Sequence, residues 1–352
     1  MKAAVITAQT PIGGKVAPSI SSVADWPELS PAGPGQGQVQ LRVLASALNH
    51  MDLWVGRGIP GVNLTYPRVS GCDVCGVVEK VGAGVDPAWV GRRVIVNAAY
   101  TVDRPLRPSD PPATAYIPDL ELQGEHINGF HCERAFAPAA NLADVGNADP
   151  KAAAAFGLTF LTAWSMMCCK GNLRPGQSVL ITGIGGGVAL AALAIAKWLA
   201  CPVCVTSRHQ WKLDKAKALG AEHGVLDKGE DWSKDVRAWT NGRGVDMAVD
   251  STGKPTHLAC IKSLARGGAY VTPGNTGGPQ ATTDLARIFW NQLRVLGSTM
   301  GTNEELRELA ALFRAGKLAP VVDSVIPWNH ARNAWEKLEA GEQFGKIVLD
   351  WS

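Results

Sequence analysis

Apolar runs of strand length alternate with helical patterns from about residue 178 to residue 272. The runs that predict strands are Ser178–Ile181, Val203–Thr206, Val245–Asp250 and Ala269–Thr272, and the helical patterns between them are Val188–Leu199, Lys212–Leu219 and His257–Leu264. Strands that are apolar throughout and separated by helices are typical of a parallel sheet covered on both faces. The pattern therefore predicts an α/β domain in the second half of the chain.

The first hundred residues have a different pattern, in which short apolar runs are broken by Gly and Pro. Gln38–Leu44 and Val74–Val81 are two such runs, and they predict an antiparallel, barrel-like β domain. Residues 101–126 have no clear period, and the Pro-, Asp- and Arg-rich part of this lobe indicates a surface or functional loop. The tail after residue 300 predicts an amphipathic helix, a strand and a second helix.

Composition and charge limit the kinds of domain and partner that the chain can have. The chain has 352 residues, 46% of them hydrophobic and 18% charged, which predicts about two folded domains. The net charge is +3 and no run of five like charges occurs, so we expect no nucleic-acid partner. The uncharged stretch Ala152–Cys169 predicts a core helix rather than a membrane span. Met1–Thr7 is too short for a secretory signal, so we expect a cytoplasmic protein with no membrane partner.

Eight cysteines include two C-x-x-C pairs, Cys72/Cys75 and Cys201/Cys204. A four-thiolate zinc site has its pairs about 15–20 residues apart, whereas these pairs lie more than a hundred residues apart. We therefore expect all eight cysteines to be packing residues, Cys132 beside His131 included, rather than nucleophiles or metal ligands.

A glycine-rich run follows the first strand of the α/β domain and precedes an Ala-rich helix. The residues that we assign to a cofactor here are Gly183, Gly185, Gly186, Gly187 and Val188. Glycine lets the backbone approach a pyrophosphate, which the positive end of the helix then binds. The alternative is an ordinary structural turn, since neither register gives a full G-x-G-x-x-G motif.

The next strand ends in Ser207-Arg208, about twenty residues after the glycine run, with Lys212 nearby. An NAD-binding unit places Asp or Glu here for the ribose 2′-hydroxyl. A hydroxyl and a guanidinium instead suit a 2′-phosphate, so the sequence predicts NADPH. The alternative is that Arg208 is a solvated surface residue.

The order of these parts is similar to that of the medium-chain dehydrogenase/reductase superfamily over essentially the whole chain. The segments that show the resemblance are Gly71–Val78, the glycine run, Gln292–Gly301 and Phe344–Leu349. Zinc-free quinone oxidoreductase-like and zinc-type alcohol dehydrogenase-like members are the most similar. The resemblance implies a GroES-like catalytic domain of residues 1–155 and 300–352, a Rossmann NADP(H)-binding domain of residues 156–299, and a homodimer.

The resemblance also implies where a zinc ion would be bound in the zinc-dependent members. The matching positions carry Asn49, Cys72-Asp73 and Ala155, and residues 97–126 lack the four cysteines of the structural zinc lobe. A catalytic zinc needs three protein ligands. We therefore expect no metal.

Further site residues follow from the same resemblance. Asn49 is a candidate donor to the substrate oxygen, Asp52 orients its neighbours, and Trp54 supplies an indole N–H or a stacking wall. His50 is either a general acid or a structural histidine. Thr159, Gly274 and Lys346 are candidate cofactor contacts, although Lys346 is alternatively a charge flanking a strand.

Without a Lewis acid, hydride transfer suits acceptors that are already electrophilic. The sequence therefore predicts an NADPH-dependent, zinc-independent reductase of a quinone or an α,β-unsaturated carbonyl compound. One alternative is an NADP(H)-dependent alcohol dehydrogenase or carbonyl reductase. Another is a catalytically silent cofactor-binding protein. The sequence does not identify the particular substrate or the preferred direction.

Overall fold

The computed structural model describes residues 1–11, 13–101 and 120–352 of the chain. These residues form two compact units, one of Met1–Leu158 with Thr302–Ser352 and the other of Thr159–Gly301. The sequence analysis divides the chain at 155/156 and 299/300, and its assignment of a role to each part stays a prediction. Residues 102–119 of the predicted irregular lobe lie outside the described residues.

The first unit takes its elements from both of its segments. Its N-terminal segment contains β1 (Ala3–Ile6), β2 (Ile20–Val23), β3 (Gln38–Ala47), α1 (His50–Arg57), β4 (Arg68–Val69), β5 (Asp73–Val81), β6 (Arg93–Val96), β7 (Ala99–Thr101), β8 (Leu120–Leu122), β9 (Arg134–Pro138) and β10 (Leu142–Asp144). Helix α2 (Pro150–Trp164) follows and continues as a π-helix over Ser165–Lys170; from Thr159 onward these residues belong to the second unit.

The second unit contains the elements between α2 and residue 301. They are β11 (Val179–Ile181), α3 (Gly187–Trp198), β12 (Val203–Ser207), α4 (Gln210–Ala218), β13 (His223–Leu226), α5 (Ser233–Trp239), β14 (Val245–Val249), α6 (His257–Ser263), β15 (Leu264–Thr272), α7 (Leu285–Trp290) and β16 (Arg294–Gly297). The C-terminal segment of the first unit adds α8 (Asn303–Arg314), β17 (Val322–Pro327), α9 (Ala331–Ala340) and β18 (Lys346–Asp350).

The main sheet of the first unit is antiparallel except for one pair. Its order is β10-β6-β5-β3-β18-β17, with β9 also paired to β3, and β17 runs parallel to β18. Alternate residues of β3 (Val39, Leu41 and Val43) are buried, which is the period expected of a strand with one face on the core. The predicted antiparallel β domain is confirmed, and β18 brings the C-terminal segment beside β3.

The sheet of the second unit is parallel throughout, with the order β13-β12-β11-β14-β15-β16. Numbered along the unit, this order is 3-2-1-4-5-6, the doubly wound arrangement of a Rossmann domain. The strand order reverses between β11 and β14, so the carboxyl ends of these strands flank the crevice in which such sheets bind ligands. The predicted α/β fold with a parallel sheet is confirmed.

Helical residues Pro150–Lys170 are long and apolar enough to cross a membrane by length and composition. However, 72% of their most apolar window is buried inside the fold, as the core helix of a globular domain would be. One expectation about the cysteines is wrong: Cys169, in the π-helix that follows α2, is exposed and does not pack in the core, whereas Cys168 is half-buried and the other six are buried.

Candidate functional site

The first candidate site begins at the N-terminus of α1. Asn49 has an extended backbone (φ −130°, ψ 164°) and precedes the first helical residue, His50. Its backbone N–H donates to Asp52 Oδ2 at 2.7 Å, which satisfies one donor that the helix itself leaves without a partner. Asp52 also places a negative charge in the first turn, where the helix dipole stabilises it. The helix therefore fixes the backbone of Asn49.

The side chain of Asn49 lies in a buried cluster with Asp73 and Lys346. Lys346 Nζ donates to Asn49 Oδ1 at 2.6 Å and to Asp73 Oδ2 at 2.8 Å, and Asn49 Nδ2 donates to the same Asp73 oxygen at 2.9 Å. Asp73 Oδ1 accepts the Leu158 N–H at 2.7 Å. The ion pair is almost fully buried, with the Lys346 side chain 4% exposed and that of Asp73 0%.

Cys72 completes this cluster as a neutral thiol. Its sulfur lies 3.3 Å from Asn49 Nδ2, and the residue is fully buried. Burial, with the nearby negative charges of Asp73 and Asp52, raises the pKa of the Cys72 thiol well above its ordinary value, and the Lys346 ammonium offsets only part of this. Cys72 is therefore a protonated thiol in this cluster.

The other predicted residues of α1 differ in exposure. His50 is exposed, Trp54 is half-buried, and Asp52 is completely buried. Burial raises the pKa of Asp52, but the interactions with His131, the Asn49 N–H and the Ser70 hydroxyl lower it more, so that its pKa lies below the ordinary value. Asp52 is therefore an ionised buried carboxylate.

The glycine run of the second unit links β11 to α3. Gly183 and Gly185 have positive φ values of 61° and 112°, which L side chains rarely adopt. Gly186 precedes the helix, Gly187 is its first residue, and Val188 is half-buried beside them. The unpaired N–H groups of this first turn and the open glycine backbone form a cradle that fits a dinucleotide pyrophosphate.

A buried carboxylate at the end of the neighbouring strand β14 fixes the position of this loop. Asp250, which follows β14, accepts the hydroxyls of Thr182 at 2.6 Å, Thr256 at 2.8 Å and Tyr270 at 2.9 Å. Its Oδ1 also accepts the Thr252 N–H at 2.9 Å. Burial, together with the negative charge of Asp250, raises the pKa of Tyr270, so this phenol remains a donor. Thr182 immediately precedes Gly183, and the carboxylate thus fixes the start of the glycine run.

Ser207 and Arg208 lie at the carboxyl end of β12, as the sequence predicts. Ser207 is buried and its Oγ accepts the His209 N–H at 3.1 Å, while Arg208 is exposed. Lys212 is buried, with Nζ 5.1 Å from the centre of the Trp211 ring. The remaining two candidates also lie in this unit: Thr159 is buried in α2, and Gly274 is half-buried, with its carbonyl accepting the Thr272 hydroxyl at 2.8 Å.

Comparison with known proteins places the chain in a family. A family model described as an alcohol dehydrogenase GroES-like domain matches residues 35–147, and one described as a zinc-binding dehydrogenase matches residues 219–349. A solved structure titled as an NAD-dependent alcohol dehydrogenase is 38% identical, with a TM-score of 0.89 over 99% of both chains. The chain belongs to the medium-chain dehydrogenase/reductase superfamily.

Two curated relatives in this superfamily have different names. A zinc-type alcohol dehydrogenase-like protein of Leptosphaeria maculans is 28% identical over 92% of this chain and 93% of its own. A 2-haloacrylate reductase of Burkholderia sp. is 29% identical over 92% of this chain and 94% of its own. These relatives are oxidoreductases, and the protein is accordingly an enzyme of the dehydrogenase/reductase kind.

The residues at the zinc position of this superfamily do not fit a zinc ion. Asn49 contributes an amide and Cys72 a protonated thiol, whereas a catalytic zinc needs three protein ligands. The Asp73 carboxylate is already paired with the Lys346 ammonium. Within residues 1–11, 13–101 and 120–352, no group of three His, Cys, Asp or Glu side chains is arranged to hold a metal.

The structure brings together only some of the predicted site residues. Asn49 and Lys346 meet around Asp73, which the sequence analysis did not assign to the site. Both hydrogens of the Asn49 amide are directed at protein acceptors, so donation to a substrate requires one of these bonds to be exchanged. His131, 3.3 Å from Asp52, is a further buried residue that the sequence analysis did not assign to the site. The functional roles of all the predicted residues stay predictions.

Proposed function

We propose that this protein is an NADPH-dependent, zinc-independent reductase that transfers a hydride to a quinone or an α,β-unsaturated carbonyl compound. The observation that supports this most is the buried Lys346 ammonium, bonded to Asn49 and Asp73 at positions that the resemblance matches to zinc ligands. Lys346 pairs with the Asp73 carboxylate, and burial with the nearby carboxylates keeps the Cys72 thiol protonated although the Lys346 charge opposes this. Chemistry that depends on a bound Lewis acid is then disfavoured.

The proposed cofactor is supported by the residues at the end of β12. Bound NADPH supplies the hydride from its nicotinamide ring. The glycine cradle of residues 183–187 holds the pyrophosphate through backbone N–H groups, and the Asp250 carboxylate fixes that cradle. Ser207 and the exposed Arg208 offer a hydroxyl and a guanidinium to a 2′-phosphate, with no acidic residue between them to repel it.

The proposed acceptor is a substrate that is electrophilic without activation by a metal. Hydride addition to an enone gives an enolate, which a few hydrogen-bond donors stabilise and water protonates. One relative is named as a reductase of a 2-haloacrylate, an α,β-unsaturated acid. Another is titled as an NAD-dependent alcohol dehydrogenase, which favours alcohol oxidation as the second candidate.

The test is NADPH consumption with a simple enone and with a quinone, each in the presence of a metal chelator. We expect turnover that survives the chelator, with NADH a much poorer donor. Loss of activity that only zinc restores would contradict the proposal. Turnover of a simple alcohol with NADP⁺, without reduction of either acceptor, would identify the second candidate, and NADPH binding without any turnover would identify a silent cofactor-binding protein.

A variant of Arg208 tests the preference for NADPH over NADH in the same assay. We expect Arg208→Ala to lower kcat/KM for NADPH by roughly 10- to 100-fold, the loss of a hydrogen bond to a charged group, and to leave NADH unaffected. Lys217→Ala, which removes an exposed cation from the last turn of α4, is the matched control. Equal effects of Arg208→Ala on both cofactors would show that Arg208 is a solvated surface residue.

We further propose that the protein is a homodimer. Leu285, Phe289 and Trp290 on α7 and Val295 on β16 are all exposed, and β16 is an edge strand of the six-stranded sheet. An apolar surface beside an edge strand favours association with a second copy. Location in the cytoplasm and the lack of membrane and nucleic-acid partners stay predictions from the sequence.

A further inference from the structure

Four buried polar side chains form a continuous chain in the first unit, and the proposed reaction uses only the last of them. Trp351 Nε1 donates to Ser46 Oγ at 2.8 Å, Ser46 Oγ lies 2.8 Å from His131 Nδ1, and His131 Nε2 lies 3.3 Å from Asp52 Oδ1. Ser46, His131 and Asp52 are completely buried, and Trp351 is 5% exposed. Because buried polar groups are costly without partners, the chain calls for a physical explanation.

The donors and acceptors of this chain fit one tautomer of His131. The indole N–H of Trp351 can only donate, so Ser46 Oγ accepts from it and keeps its own hydrogen for donation. The Asp52 carboxylate faces His131 Nε2 at 3.3 Å and favours a proton there, which leaves Nδ1 to accept the Ser46 hydrogen. Nδ1 is then the acceptor, and the proton of the neutral ring lies on Nε2, facing the Asp52 carboxylate. The opposite tautomer would set the lone pair of Nε2 against the carboxylate oxygen.

The ring has little freedom to leave this arrangement. In the described part of the chain, His131 Nε2 and Asp52 Oδ1 are both buried atoms without a hydrogen bond of good geometry, and they face each other at 3.3 Å. The Trp335 ring packs edge-on against the imidazole with centroids 5.2 Å apart. Gly71 also packs closely against the ring, since a Cβ at this position would lie only 2.7 Å from it.

The Asp52 end of this row of polar side chains reaches the candidate site. Asp52 Oδ2 accepts the backbone N–H of Asn49 at 2.7 Å, and the Asn49 side chain contacts Asp73 and Lys346. We propose that His131, as the Nε2–H tautomer, is a positioning residue that orients the Asp52 carboxylate and thereby sets the start of α1 and the Asn49 amide. Its effect on catalysis rests on the proposed function, whereas its effect on Asn49 does not.

Asp52, His131 and Ser46 share their residue types with a catalytic triad, but the arrangement does not support nucleophilic chemistry. Ser46 Oγ is completely buried and already receives the Trp351 N–H, so no substrate carbonyl can approach it. The row of polar side chains therefore holds the backbone at Asn49, the start of α1, in place.

The first test does not depend on enzyme turnover. Amide hydrogen exchange of the NADPH-bound protein is measured for Asn49 and for Leu158, whose N–H is bonded to Asp73 and lies outside the His131 chain. We expect His131→Phe to accelerate exchange at Asn49 about tenfold, the loss of roughly one net hydrogen bond, and to leave Leu158 unchanged. Equal acceleration at both amides would mean a general loss of stability and would overturn the proposal.

A second measurement uses the unmodified protein, in case His131→Phe does not fold. The ¹⁵N chemical shifts of the His131 imidazole report which nitrogen carries the proton. We expect a protonated Nε2 and an unprotonated Nδ1, and a proton on Nδ1 would overturn the proposal. Ser46→Ala is the milder variant, and it should perturb the Nδ1 shift while exchange at Asn49 changes less than in His131→Phe.

Kinetics then separate positioning from catalysis. We expect His131→Phe and Asp52→Asn each to lower kcat about tenfold, with the KM for NADPH unchanged, and the double variant to be no slower than Asp52→Asn alone. Additive effects would show that His131 does not act through Asp52. If the unmodified protein reduces no enone or quinone, the proposed function fails, and the exchange and ¹⁵N results still decide the role of His131.

Discussion

At the scale of single residues, a lysine is paired with a buried carboxylate beside Asn49 and Cys72, two positions that the resemblance to zinc-dependent members matches to zinc ligands. Lys346 Nζ and Asp73 Oδ2 are 2.8 Å apart and both side chains are almost fully buried. Burying two charges is costly, and the pair is stable only because Asn49 and the Leu158 N–H satisfy the remaining polar atoms. Removing one partner leaves a buried charge without compensation.

We therefore expect Lys346→Met to lower the free energy of unfolding by about 3–5 kcal/mol, measured by urea denaturation. Adding Asp73→Asn should restore part of the loss, because the uncompensated charge disappears while an oxygen remains for the Leu158 N–H. The control is Lys151→Met, which breaks a partly exposed pair with Asp350 and should cost at most about 1 kcal/mol. If Lys346→Met lowers the free energy of unfolding no more than Lys151→Met does, the buried pair does not leave an uncompensated charge when it is broken.

At the scale of elements, the side chain of Asp250 connects three strands of the second unit. Asp250 follows β14 and accepts hydrogen bonds from Thr182 after β11 and from Tyr270 in β15. All groups that face its carboxylate are donors, so an amide in its place would set an N–H against another donor. The geometry of the glycine run thus depends on a residue that does not itself belong to it.

We expect Asp250→Asn to lower the stability of the protein by about 2–4 kcal/mol and to weaken NADPH binding, because it leaves buried donors without an acceptor. Tyr270→Phe removes a single donor and should cost about 1 kcal/mol with little change in NADPH affinity. Thermal unfolding and a fluorescence titration with NADPH measure the two effects. Similar losses for both variants would rule out Asp250 as the group that holds the loop.

The elements also show what the sequence could and could not predict. Strands β11, β12, β14 and β15 and helices α3, α4 and α6 of the second unit were predictable because their hydrophobic runs are local and continuous, whereas β13, α5 and α7 were not predicted. Helix α1 was not predicted, although Asn49 and Asp52 have the spacing of a helix cap. His131 could not be joined to Asp52, nor Lys346 to Asp73, because only the folded sheet brings residues so far apart in sequence together.

At the scale of the whole molecule, the exposed apolar surface of α7 and β16 is the feature that most affects behaviour in solution. Phe289 and Trp290 are 68% and 71% exposed, which is unusual for large apolar side chains on a monomer surface. The free edge of β16 lies in the same unit and can pair with another strand.

We expect sedimentation velocity to give twice the chain mass of 37.1 kDa for the unmodified protein. Trp290→Ser removes apolar area and Val295→Lys places a charge on the edge strand, so both should shift the equilibrium toward monomer. Leu219→Ser, at an exposed apolar residue outside this surface, is the matched control. A monomeric unmodified protein would contradict the homodimer, as would a shift with the control alone.

The discontinuous first unit imposes an order on the synthesis of the protein. Lys346 is translated 297 residues after Asn49, which at about 5–20 residues per second is a delay of roughly 15–60 s. The second unit, Thr159–Gly301, emerges from the ribosome during that interval and is free to fold first. Until Lys346 arrives, the Asp73 carboxylate has no counter-ion, so a nascent chain stalled before this residue exposes an incomplete sheet to chaperones and proteases.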